Sequence, residues 1–379
     1  RLIRELERSG RLDRALEFLP SEKVIKERGA AGRGLTSPEL SVLLAYVKIT
    51  LEDQVLASGM PDEPHFAGTL AAYFPTPLRE RFTGEMATHP LRREIITTQV
   101  VNDAVNRGGS TFVFRAVEET GADPVDVLRA YLVVREVFGL RDLWLAAEAL
   151  DNAVPTAAQT AIFLESRRLL DRAVRWLVQN RRSPIDVAAE IERLAPGVAE
   201  LLPHLADLFR GAEAEALEAH VEGLVACDVP RELAEKASML LYAFGLLDIV
   251  EVAARADRPV REVADVYYTL SEQFRVDLLL DRISALPRDD RWRALARMAL
   301  RYDLYAALAE LTAEVLASTE PGGVAEERVA AWAAANASSI ARAQVNVADL
   351  RADTAPDLAT LSVLLRQIRT MVRASASGG

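Results

Sequence analysis

The sequence predicts an all-α protein, and three observations support this. Ala, Leu, Val, Arg and Glu dominate while aromatics make up only 6% of the 379 residues, the mixture that helices favour. Apolar residues recur at three- and four-residue spacing along most of the chain. No stretch alternates apolar and polar residues convincingly enough to demand a strand. With 50% of its residues hydrophobic, the chain is long enough to bury two or three cores. We expect a multi-helix bundle array with two related helical bundles that arose by internal duplication.

Residues 1–34 read as connecting helices. Leu2, Leu6, Leu12, Leu16 and Leu19 fall at helical spacing until Pro20 stops the run. A charged helix follows, and the glycine-rich RGAAGRG of Arg28–Gly34 is a linker. The first bundle, 35–183, begins at a sharp helix start: Thr36 and Glu39 have capping-box spacing, while Ser37 before Pro38 offers an alternative start with proline at the first helical position. Four prolines between Met60 and Phe82 predict short helices joined by turns. Regular helical spacing then covers about 91–106, 110–120, 124–138 and 155–180.

The second bundle, 184–319, continues with helices at about 184–194, 198–209, 212–226, 230–243, 246–256, 259–273, 276–285 and 289–317. The break at Glu320–Gly323 opens a last region, 320–379, of C-terminal helices and a disordered tail. There Leu358, Leu361, Leu364, Leu365 and Ile368 make one apolar stripe that needs a surface to cover, either the second bundle or another polypeptide.

The duplication rests on two stretches, 119–140 and 255–276. Pro124 answers Pro259, and after one inserted residue Val127, Tyr131, Glu136 and Phe138 answer Val263, Tyr267, Glu272 and Phe274. Flanking matches extend the pair to about 92–180 and 230–317.

One motif invites chemistry. NRGGSTFVFR, Asn106–Arg115, sets two glycines beside two hydroxyls, as phosphate loops do. It lacks the preceding strand and the lysine of a nucleotide cradle, so we read it as a helix stop, a turn and a helix start capped by Ser110 or Thr111, with anion binding as the lesser alternative. His65, His89, His204 and His220 never approach zinc-helix spacing. Cys227 is the sole cysteine, so no internal disulfide forms, and a reducing cytoplasm is expected. The pairs Arg92-Arg93, Arg167-Arg168 and Arg181-Arg182 read as solvated faces or bridges to neighbouring acids, or alternatively as receptors for an anionic effector. Trp144, Trp176, Trp292 and Trp332 read as core or interface anchors. We therefore assign no catalytic, cofactor-binding or metal-binding residue.

A formal charge of −11 repels phosphate backbones and anionic membranes, which argues against nucleic-acid and membrane partners. The most apolar run, Ala237–Leu247, is shorter than the roughly 18 residues a membrane span needs. The chain opens on Arg1 within a helical run, from which we expect it to be part of a longer polypeptide without a signal peptide here.

Four long strings give a sharper indication: GLTSPELSVLLAYVKITLEDQVLAS (34–58), YFPTPLRERF (73–82), HPLRREIITTQVVNDAVNRGGSTFVFR (89–115) and VFGLRDLWLAAEALDNAVPTAAQ (137–159). With them the chain resembles the C-terminal region of the large bacterial NAD-dependent glutamate dehydrogenases, from Phe18 to Asn180 and more loosely to Met371. The resemblance implies a helical region that follows a dehydrogenase core. It also implies that the intact protein converts L-glutamate, NAD and water to 2-oxoglutarate, ammonium and NADH. The family's substrate lysines and dinucleotide glycines have no counterpart here, so no cofactor is expected in this part, and this part alone is expected to be inactive. Its expected partners are its own dehydrogenase core, other subunits of a homo-oligomer, and a regulatory protein or small effector. The competing expectation is a free-standing helical adaptor for a protein partner or anionic effector.

Overall fold

The structure, a computed structural model, describes residues 1–287, 289–352 and 357–376. Helices account for 79% of the protein, with 21 α-helices, three 3-10 turns and no strand among the described residues. The all-α expectation holds. Contacts divide the chain into two compact units, each made of two chain segments: Arg1–Glu136 with Leu170–Glu192, and Val137–Leu169 with the residues from Arg193 onward.

In the first unit the opening leucines do not form one helix. Helix Leu2–Arg8 stops at Ser9, Gly10 turns through φ +70°, and the Asp13 carboxylate then accepts from the Ala15 and Leu16 amides. That turn takes Leu16 out of the stripe and leaves it 71% exposed, while Leu2, Leu6, Leu12 and Leu19 stay buried. Helix Ser37–Ala57 starts as its sequence suggests: Thr36 precedes it, Pro38 lies in its first turn, and the Thr36 amide donates to Glu39 Oε2 at 2.7 Å. Arg28 grips the same carboxylate at 2.7 and 3.0 Å, tying the preceding helix, Glu22–Ala30, to this start. Leu43, Val47, Leu51 and Val55 make its buried stripe, and the helix packs on helix Arg92–Gly108, whose Ile96, Val100, Val101 and Ala104 are buried. Between these two helices in the chain come the short elements Met60–Asp62, Pro64–Phe66, Ala67–Tyr73, Thr76–Arg81 and Thr83–Ala87, of which the first, second and fourth have proline in their first turn.

Helix Pro124–Val137 is buried nearly all round, with Val127, Leu128, Ala130, Tyr131, Leu132, Val133 and Val134 at or near zero exposure, as a central helix must be. Its polar groups are satisfied from within the unit. Tyr131 donates to Asp103 at 2.9 Å, and Arg135 meets the same carboxylate at 2.6 Å. Asp126 accepts from the Ile185 amide at 3.0 Å, and Arg129 reaches both Glu63 and the Ile185 carbonyl.

The second unit builds its core from helices Gly245–Ala256, Val260–Phe274 and Arg291–Ser318, where Leu246, Ile249, Val263, Val266, Leu304, Leu311 and Val315 are buried. Helix Val187–Leu201 tolerates Pro196 and approaches closely at Gly197, where a β-carbon would stand 2.7 Å from Val250 Cγ2. The stripe Leu361, Leu364, Leu365 and Ile368 of the last helix, Leu358–Ala376, is buried, and that helix packs on Arg291–Ser318, so the apolar face noted in the sequence is covered within this chain. Of the tail expected after it, residues 377–379 lie outside the described residues.

Local geometry recurs between the stretches read as repeats. Gly121 and Asp257 both take left-handed φ before a proline-led helix, and Gly139 and Arg275 both do so after it. This is a likeness of helix joints, and the duplication itself is not confirmed. No single helix among the described residues is long and apolar enough to cross a membrane. Helices Arg231–Ala243 and Gly245–Ala256 together are long and apolar enough, but they are bent by 61° at their junction, and most of their apolar residues are buried in the second unit.

Candidate functional site

The glycine motif resolves into packing. Helix Arg92–Gly108 ends at Gly109, whose φ is +90°, and helix Phe112–Thr120 begins three residues later. Thr111 occupies the cap position at φ −105° and ψ 2°, and its side chain makes no cap hydrogen bond, so the expected hydroxyl cap is absent. The reason is geometric, because a capping residue needs extended backbone to turn its oxygen onto the first-turn amides. Gly108 is required by the close approach of the Phe112 ring, 2.6 Å from where a β-carbon would be.

Of the arginine pairs, Arg92, Arg93, Arg168 and Arg181 have structural partners. Arg92 and Arg93 both meet Asp62, and Arg93 also donates to the carbonyls of Leu56 and Ser58 at 2.7 and 3.1 Å, clamping one helix start to the end of another. Arg168 pairs with Glu165. Arg181 binds Glu190 at 2.8 Å and stacks over Trp176 at 4.7 Å. Among the described residues no cluster of His, Cys, Asp and Glu is arranged to hold a metal ion. Trp144, Trp176 and Trp332 are buried, with Trp144 Nε1 donating to Ser166 and Trp332 Nε1 to Glu314, each at 2.9 Å. Trp292 is 74% exposed and anchors no core.

A cleft of about 450 Å³ in the second unit is lined by Arg210, Glu262, Asp265, Thr269, Glu326 and Arg328 among others. Buried Arg328 is held by Glu262, by Thr319 Oγ1 at 2.8 Å and by the Leu316 carbonyl at 3.4 Å. Three carboxylates face two guanidiniums there, so the lining does not attract an anion, and its arginine serves to fasten helix Ala325–Ala335.

The least ordinary chemistry lies deeper in the second unit, at Glu213. This residue sits in the first turn of helix Gly211–Val225 and is only 9% exposed. Its carboxylate accepts a hydrogen bond from Ser271 Oγ at 3.1 Å. Burial pushes its carboxyl up to about 7; Asp277 and Glu272 add to the rise, while the Ser271 bond and the Arg275 charge oppose it. Around it are Tyr242, Tyr267 and Tyr268, whose hydroxyls burial also pushes upward. Tyr268 Oη and Tyr267 Oη are buried and make no hydrogen bond to the described residues, and Tyr267 Oη lies against Gly245. The Phe209 ring packs on Tyr242 and Tyr268 at 4.7 and 5.2 Å and seals the cluster on one side.

Sequence reasoning missed this cluster. The spacing predicts only a helix at about 212–226, and within it Glu213 stands four residues before Leu217 and eight before Val221, on the buried stripe. That register was the available signal.

The family model described as glutamate dehydrogenase, C-terminal, matches residues 32–370. The chain belongs to this family. The NAD-specific glutamate dehydrogenase of Mycobacterium tuberculosis is 45% identical over 367 residues, which is 97% of this chain and 22% of that protein. The Pseudomonas aeruginosa enzyme of the same description is 36% identical over 100% of this chain and 23% of its own length, and the Halomonas elongata one 37% identical over 88% and 20%. This glutamate dehydrogenase C-terminal chain thus spans less than a quarter of the relatives it matches.

Proposed function

We propose that this chain is the non-catalytic C-terminal helical region of a large NAD-dependent glutamate dehydrogenase. The longer enzyme oxidises L-glutamate with NAD and water to 2-oxoglutarate, ammonium and NADH in the cytoplasm. The observation that carries the reading is the match of 97% of this chain to only 22% of an NAD-specific glutamate dehydrogenase. A region that matches end to end, and whose cationic clusters are committed to holding helices together, contributes packing surface in preference to chemistry.

In this reading NAD and glutamate bind the dehydrogenase core, and the helical units pack on that core and on neighbouring subunits of a homo-oligomer. Any control of activity requires that these contacts differ between open and closed forms of the core, since equal contact with both shifts nothing. The test is a pair of assays. The long enzyme turns over glutamate with NAD, whereas the isolated 379-residue chain yields no NADH and shows no NADH binding by fluorescence titration. Turnover by the isolated chain would sink the proposal. Mixing the isolated chain with a core truncated before it should restore assembly or activity, and failure to associate would favour a free-standing adaptor.

A further inference from the structure

We propose that Glu213 is a proton-operated latch: with its carboxyl protonated it holds the first turn of helix Gly211–Val225 against helix Val260–Phe274, and loss of the proton releases that turn.

Among the described residues Glu213 makes no ion pair, so an ionised carboxylate there has no cation in contact. Its hydrogen-bond partner is the neutral hydroxyl of Ser271. The arginine whose charge acts on it, Arg275, is engaged with Asp277 at 2.9 and 3.0 Å. The other groups facing Glu213 are Glu272 from its own partner helix, Asp277 from helix Val276–Ala285, the phenols of Tyr267 and Tyr268, and Tyr242 from helix Arg231–Ala243. Two are carboxylates and three are neutral phenols, so a negative charge at Glu213 meets repulsion and poor solvation together. The helix N-terminus favours an anion, but only by about 0.3–1 kcal/mol at an ordinary exposed position, which is too little to offset burial.

The neighbouring backbone lets this turn open alone. The helix is capped by Arg210 with no side-chain hydrogen bond, and Gly211 enters it at φ +51°. Beyond Glu213, Leu217, Val221 and Leu224 keep the rest of the helix buried, and that helix packs on helix Arg231–Ala243. Release therefore uncovers Ser271 and Tyr268 without dismantling the bundle.

The direction with pH follows from linkage. In the open turn the carboxyl returns to its ordinary value of 4.5, and in the closed turn it is raised to about 7. Closure is fully favoured below the ordinary value, weakens as pH rises between the two, and levels off above the raised one. The latch belongs to this helix pair and stands apart from the reaction of the longer enzyme.

Hydrogen exchange by mass spectrometry on the full-length protein, corrected for intrinsic exchange, tests this at pH 5, 6, 7 and 8. Peptides covering Gly211–Leu217 should lose protection by up to about a hundredfold from pH 5 to 8, while those of helix Arg231–Ala243 stay constant. Glu213→Gln should hold its protection flat across the range. Ser271→Ala, which removes a bond that favours the anion, should raise the closed-state carboxyl further and move the midpoint of the loss to higher pH. Flat protection in wild type, an identical fall in Glu213→Gln, or an unmoved midpoint in Ser271→Ala overturns the proposal.

Discussion

The ring of Phe112 fills the space beside Gly108: a β-carbon on Gly108 would stand 2.6 Å from Phe112 Cγ and 2.9 Å from its Cβ. The Phe112 ring thereby packs directly on the Gly108 backbone where two consecutive helices meet, and it goes on to meet Tyr131 edge to face at 6.2 Å. The glycine that looks like a phosphate-loop residue is a packing residue.

Gly108→Ala should therefore destabilise the first unit by about 1–3 kcal/mol, the range for overpacking a tight site. Gly223→Ala is the control, because nothing lies within 4 Å of its added β-carbon and its φ is helical. That change should stabilise by a few tenths to about 1 kcal/mol. Urea unfolding of the two variants should move the midpoints in opposite directions, and equal shifts would contradict the packing account.

Asp103 serves two buried groups, Tyr131 and Arg135. Tyr131→Phe removes one neutral donor and should cost about 0.5–1.5 kcal/mol. Asp103→Ala takes the 2.6 Å partner from a buried guanidinium that keeps Glu136 and also orphans the phenol, so a larger loss of about 1.5–3 kcal/mol is expected. In the double variant the two costs should fall short of additivity, which a double-mutant cycle by chemical denaturation measures.

The start of helix Ser37–Ala57 should respond to acid. The Thr36 amide, then Arg28, hold the Glu39 carboxyl below its ordinary value of 4.5. A depressed folded value means stability present above pH 4.5 and lost as pH falls from there through the folded value. Exchange protection of the first turn should decline over that window in wild type and lack that decline in Glu39→Gln.

Trp292 is the exposed member of four tryptophans, with the other three at 4% exposure or less. Trp292→Phe should remove most acrylamide-quenchable emission and leave stability within about 0.5 kcal/mol, the usual range for a surface change. Persistent quenching in that variant would show a second accessible indole.

What could be read from residues alone was local. The 3.6-residue spacing of Leu43, Val47, Leu51 and Val55 specifies a helix and its buried face, and Thr36 with Glu39 marks where it begins. Gly108-Gly109 marks a stop, and the long strings around it indicate the family to which the chain belongs. Such signals act over three or four residues, which is the reach of backbone hydrogen bonds and caps.

Tertiary structure decided the rest. It placed Leu16 in water although it keeps the spacing of its buried neighbours, put Trp292 outside while Trp332 went inside, and covered the last helix with Arg291–Ser318. It also brought Ser271, 58 residues away, onto Glu213 and so turned an acid from a charged-looking helix into a buried one. Burial and ionisation depend on which surfaces meet across the chain, and a helical period specifies a face without naming what will cover it.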